Sequence, residues 1–93
     1  MLNRITVKLV VKGRVQGVSY RASMQAKAAQ HGVDGWVRNR GDGSVEALLQ
    51  GDEEEVRLVL VWARLGPPSA EVSEVEEDLL DSCPPLSGFQ ITS

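Results

Sequence analysis

Val33 to Gln50, VDGWVRNRGDGSVEALLQ, is the stretch on which the fold turns. Trp36 and Val37 give the segment up to Arg40 the character of a strand, although Gly35 weakens it. Gly41, Asp42 and Gly43 make a turn, and Val45, Ala47 and Leu49 then alternate through Ser44 to Gln50 with the two-residue period of a strand buried on one face. A connection this short makes the two strands an antiparallel hairpin. Each partner of the hairpin must then find its other neighbour elsewhere in the chain.

On the amino-terminal side, Ile5, Val7, Leu9 and Val11 alternate with Thr6, Lys8 and Lys12, a strand expected to end at Gly13. From Tyr20 or Arg21 the residues favour helix, with Ala22, Ala26 and Ala29 on one side, Met24 and Ala28 close by, and Gly32 as the stop. Small side chains there are expected to let the helix lie close on a sheet. On the carboxyl side, Asp52 reads as a helix cap, with Glu53 and Glu54 in the first turn and Glu55 completing a capping box. Val56, Val59, Leu60 and Ala63 follow at helical spacing. The valine-rich run Leu58 to Trp62 also suits a buried strand, but the cap before it and Gly66, Pro67 and Pro68 after it decide for helix. Ala70 to Asp78 is an acidic edge strand around Val72, Leu79 to Ser87 a loop, and Phe89 with Ile91 a short final strand. The order strand, helix, strand, strand, helix, strand is the split unit of an α+β, ferredoxin-like α/β sandwich. Residues 1–93 form one domain, with an antiparallel sheet in the order 4-1-3-2, both helices on one face and a short extra strand at the carboxyl end.

In that topology the first two strands run parallel with the third between them. The loop after strand one and the end of strand two share one edge of the sheet, about two strand spacings or roughly 10 Å apart. That loop lies in Lys12 to Arg21, KGRVQGVSYR. Gly13 and Gly17 allow it to turn its N–H groups around an anion, or merely allow a tight connection; no GK[ST] follows, so it is not a Walker loop. Arg21 at a helix amino terminus opposes the helix dipole, a conflict that a bound phosphate would turn into a complementary site. Without such a ligand it is an ordinary solvated arginine. Asn39, across from the loop, is either an amide that orients a water against a bound phosphate or a residue that caps its own backbone.

Composition narrows the classes. With 42% hydrophobic and 25% charged residues, the 93-residue chain has the make-up of a soluble domain able to bury a core without staples. No apolar run is long enough for a bilayer or a signal peptide, and the single Cys83 forms no internal disulfide, so a cytoplasmic location and no membrane partner are expected. One histidine and one cysteine make a zinc site an unpromising expectation. His31 is read as a cap or a solvent-facing residue, and Cys83 as too far from any basic neighbour to be a nucleophile. Residues 1–40 carry eight basic residues against Asp34 alone, and residues 41–93 two against twelve acids. This polarity is either a by-product of solvated faces or a field that draws an anion to the glycine loop. The net charge of −3 argues against nucleic acid, and the first strand lacks the aromatics of an RNA-binding sheet. A monomer is the default expectation.

GRVQGVSYR followed by GWVRNRGDGSVE resembles the two signatures of the acylphosphatase family, small enzymes that hydrolyse the carboxyl–phosphate bond, and GPPSAEV and the closing GFQI extend the resemblance over nearly the whole chain. It implies the same ferredoxin-like sandwich. It also implies that Arg21 binds the phosphate together with the backbone of Arg14, Val15, Gln16, Gly17, Val18 and Ser19, and that Asn39 positions the attacking water. The implied substrate is a small acyl phosphate, hydrolysed with no metal, no cofactor and no covalent enzyme intermediate, a substrate oxygen taking the proton from water. Tyr20 stands where family members often have phenylalanine, and Ser19 at a variable site. The competing expectation is a non-catalytic, phosphate-binding domain of the same family.

Overall fold

The computed structural model describes residues 3–92. The chain runs β1 (Arg4–Arg14), α1 (Tyr20–His31), β2 (Asp34–Asn39), β3 (Val45–Asp52), α2 (Glu53–Leu65), β4 (Glu71–Leu80) and β5 (Phe89–Ile91). The sheet order is β4-β1-β3-β2-β5, the expected ferredoxin-like arrangement with the short fifth strand added beyond β2. The four strands of the expected order are antiparallel, and β5 adds a parallel neighbour to β2, so the five-stranded sheet is mixed. β1 also runs past Gly13 to Arg14, its register against β4 slipping between Lys12 and Gly13. β4 takes in Leu79 and Leu80, which composition assigns to the following loop.

One face of the sheet carries the core. Val7, Leu9 and Val11 of β1, Val45, Ala47 and Leu49 of β3 and Val37 of β2 are buried against Val56, Val59, Leu60 and Ala63 of α2, the stripe read from its spacing. α1 departs from its expected face. Tyr20, Met24 and Ala28, four residues apart, are buried, while Ala22, Ala26 and Ala29 face solvent. The larger Tyr20 and Met24 bury more apolar area than a stripe of methyl groups would, and they set the helix rotation. At the start of α2, the side chain of Asp52 makes no capping bond; instead the Glu53 N–H donates to the Asn3 carbonyl at 2.7 Å. Gly35, expected to weaken β2, is required there, because a Cβ at that position would sit 1.8 Å from the Leu48 carbonyl oxygen.

The charge polarity of the sequence is folded into cross-strand pairs. Lys12 meets Glu76 of β4 at 3.0 Å, and Lys8 meets Glu46 of β3 at 3.1 Å. Glu46, its side chain 8% exposed, also accepts from the Arg38 Nε at 2.7 Å. Burial raises its pKa, but the hydrogen bonds and charges of Arg38 and Lys8 outweigh that and leave the group below its ordinary 4.5. A depressed folded pKa means stability that is complete above the unfolded value and lost as pH falls through the folded one. Glu46→Gln is therefore expected to flatten the acid limb of stability below about pH 4.5. Urea titrations of both proteins at pH 7 and pH 3 check this; equal losses on acidification would refute it. No helix among the described residues is long and apolar enough to cross a membrane.

Candidate active site

β1 leaves the sheet at Arg14, and the loop to α1 is pinned from inside by Val15 and Val18, both buried. Two residues between and after these pins turn outward in the left-handed region, Gly17 at φ 73° and Ser19 at φ 64°. Ser19 is the only non-glycine residue with positive φ among those described, a conformation that costs an L-residue on the order of 1–2 kcal/mol. Its side chain forms no capping bond, and the first intrahelical bond runs from the Ser23 N–H to the Ser19 carbonyl at 3.0 Å. The N–H groups ahead of it have no acceptor in the helix. Nor is there an acid in the first turn of α1, whereas α2 has three. This amino terminus therefore has neither its partial positive charge nor its donors offset by a capping side chain or a first-turn acid.

Arg21 stands at that turn. Among the described arginines, only Arg14 and Arg21 have no carboxylate within ion-pair distance; the other five are paired. Arg21 lines a cleft of about 160 Å³ together with Val15, Gly17, Ser19, Tyr20, Ala22 and Ile91. Arg14, Gln16, Val18 and Asn39 do not line it. Arg14 lies at the sheet edge in register with Glu71, Val18 points its side chain into the core, and its carbonyl accepts from Ser69 Oγ at 3.0 Å.

The Gln16 side chain has a different task. Its Nε2 donates to the carbonyls of Arg40 at 2.8 Å and Ser44 at 2.9 Å, so the glycine loop is tied to the β2–β3 hairpin. The turn is stapled in its own right, since Asp42 Oδ1 accepts from both the N–H and the hydroxyl of Ser44. Asn39 precedes Arg40 at the end of β2, in register with Val45. Its Oδ1 is the one buried side-chain polar atom among the described residues with no hydrogen-bond partner. Leaving such an acceptor unmet costs roughly 1–3 kcal/mol, so it calls for an explanation in water or ligand.

Tyr20 closes the inner wall. Its ring stacks at a tilt on Trp62 with centroids 5.3 Å apart, and its buried hydroxyl donates to the Ala63 carbonyl at 2.7 Å, one of the last-turn carbonyls that α2 cannot satisfy itself. Burial pushes the phenol pKa well above its ordinary 10.0, so it remains a donor at every physiological pH. Tyr20→Phe is expected to cost about 1–3 kcal/mol by stranding that carbonyl, read as a lower urea midpoint with an unchanged slope. An unchanged midpoint would show that the hydroxyl contributes nothing.

Two residues flagged in the sequence lie elsewhere. His31 Nδ1 is 2.9 Å from Glu55 Oε1, joining the end of α1 to the start of α2. Cys83 borders a separate cavity with Arg4, Thr6 and Gln50. Among the described residues no group of three or more His, Cys, Asp or Glu is gathered as a metal site. Sequence reasoning missed Ile91, which enters the cleft only because β5 pairs with β2, and Ser69, a serine within GPPSAEV that no spacing rule singles out.

A family model described as Acylphosphatase matches residues 7–91. An acylphosphatase of Thiobacillus denitrificans is 52% identical over 85 residues, covering 91% of this chain and 93% of the relative. One from Pelotomaculum thermopropionicum is 43% identical over 90 residues, covering 97% and 98%. The crystal structure of acylphosphatase from Bacillus subtilis superposes with a TM-score of 0.93 at 31% identity, covering 96% of this chain and 99% of that one.

Proposed function

This chain belongs to the acylphosphatase family, and on that premise we propose that it hydrolyses small acyl phosphates by direct attack of water on phosphorus. The N–H groups of Arg14 to Ser19 and the guanidinium of Arg21 hold the phosphoryl oxygens. Asn39 accepts a hydrogen bond from the attacking water through Oδ1 and so aims its lone pair. The water oxygen forms the new bond to phosphorus as the bond to the acyl oxygen breaks, and the electron pair leaves on a carboxylate. The water's proton passes to a phosphoryl oxygen, giving inorganic phosphate.

A carboxylate is a good leaving group that needs little protonation. Positioning and charge stabilisation therefore supply most of the catalysis, which suits a cleft that has no general base among its lining residues. The observation that carries this reading is the α1 amino terminus, uncapped by side chains, free of acids and flanked by Gly17, Ser19 and Arg21. Acetyl phosphate incubated with the purified protein and a chelator should release inorganic phosphate. Phosphate-dependent thermal stabilisation without hydrolysis would replace the enzyme with a binding module.

A further inference from the structure

We infer that Ile91 selects the acyl group, favouring substrates whose carboxyl-phosphate carries a branched or aromatic acyl chain over acetyl phosphate. The inference rests on the hydrolytic reading above and concerns the same cleft.

With the phosphoryl group gripped by the loop and Arg21, the acyl chain extends from phosphorus along the cleft that Arg21 lines. Of the residues forming its wall, Val15 and Tyr20 are each 1% exposed and offer almost no surface. Gly17 has no side chain, Ser19 carries only a small polar one, and Arg21 is engaged by phosphate. The apolar side chains left are the single methyl of Ala22 and Ile91, which is 39% exposed. The other large exposed hydrophobic residues described, Leu58, Val61, Leu65 and Leu79, lie on α2 and β4 and do not line the cleft.

Ile91 is also held firmly enough to discriminate. β5 is clamped at both ends, by the Gly35 N–H donating to the Gly88 carbonyl and the Thr92 N–H donating to the Val37 carbonyl, each at 2.9 Å. Between them Phe89 is buried, and its carbonyl accepts from Gln25 Nε2 at 3.0 Å. Ile91 is set in register with Val37, on the strand that ends at Asn39. An exposed isoleucine is unremarked on most surfaces; fixed in the wall of a substrate cleft, it is an apolar contact for whatever the phosphate carries.

Ile91→Thr keeps the β-branch and removes apolar surface. The experiment measures kcat/KM for benzoyl phosphate and acetyl phosphate in both proteins, with inhibition by inorganic phosphate as a third readout. The benzoyl-to-acetyl ratio is expected to fall roughly tenfold, the low end for one lost apolar contact. Inhibition by inorganic phosphate, which carries no acyl group, should shift far less than the benzoyl phosphate value. An unchanged ratio, whether the two substrates fall together or neither falls, overturns the role of Ile91 while leaving hydrolysis in place. If the wild-type protein hydrolyses neither substrate, the hydrolytic reading itself fails and this inference with it.

Discussion

Arg21→Ala is expected to lower kcat/KM for acetyl phosphate by at least about 10²–10³, the loss typical of one transition-state donor, and to weaken inhibition by inorganic phosphate in parallel. The same substitution should raise stability. In phosphate-free buffer the guanidinium sits at the positive end of α1 with no carboxylate partner among the described residues. Removing it relieves about 0.3–1 kcal/mol of dipole repulsion. Urea melts with and without phosphate separate the two effects. The variant should be the more stable protein without phosphate and should gain less when phosphate is added. Arg21→Lys restores the charge but not the planar fork, and is expected to recover only part of the activity. Near-normal turnover in Arg21→Ala would remove Arg21 from the mechanism.

Asn39→Ala is expected to separate turnover from binding. The loop and Arg21 remain, so inorganic phosphate should still inhibit and stabilise the protein, while kcat falls by about 10² or more with the water no longer aimed. Stability is again the distinguishing measurement. A buried oxygen without a partner is a cost of roughly 1–3 kcal/mol in the folded protein, so truncation should leave the melting temperature level or higher. A structural asparagine would behave oppositely, losing stability and keeping its rate per folded molecule. Retained kcat would end the water-positioning role.

Most of the fold was legible because it depends on local chemistry. The alternation of Ile5 to Val11, the stop at Gly32, the turn at Gly41 to Gly43 and the stripe from Val56 to Ala63 each follow from the backbone preferences of a few residues. What escaped was set by partners distant in sequence. The Ala22, Ala26 and Ala29 face lost to Tyr20, whose hydroxyl is fixed by a carbonyl 43 residues away. The parallel setting of β5 depends on β2 offering a free edge, which three residues cannot announce. Charge partners are set the same way: Lys8 and Lys12 belong to the basic half of the chain, and the sheet pairs them with Glu46 and Glu76.

The site divides along the same line. The glycine loop, Arg21 and Asn39 stand out because each breaks a local rule: positive φ, a cation at a helix amino terminus, and an amide at a strand end. Gln16 is read from sequence only for its backbone, and its side chain becomes meaningful once the carbonyls of Arg40 and Ser44 are in place. Ile91 has no local signal at all.

The ties that hold the cleft have a kinetic corollary. Gln16 reaches 24 residues along the chain, Tyr20 reaches 43, Ser69 reaches back 51, and Gln25 reaches 64 to β5. Each closes a long loop, and the entropy of closure is spent before the contact rewards it. Folding is thus placed among the slower small domains, governed by non-local pairing. A nascent chain that has not yet released β5 has the loop and both polar residues but not the Ile91 wall that frames them, so the cleft is completed only once residues 89–91 have emerged.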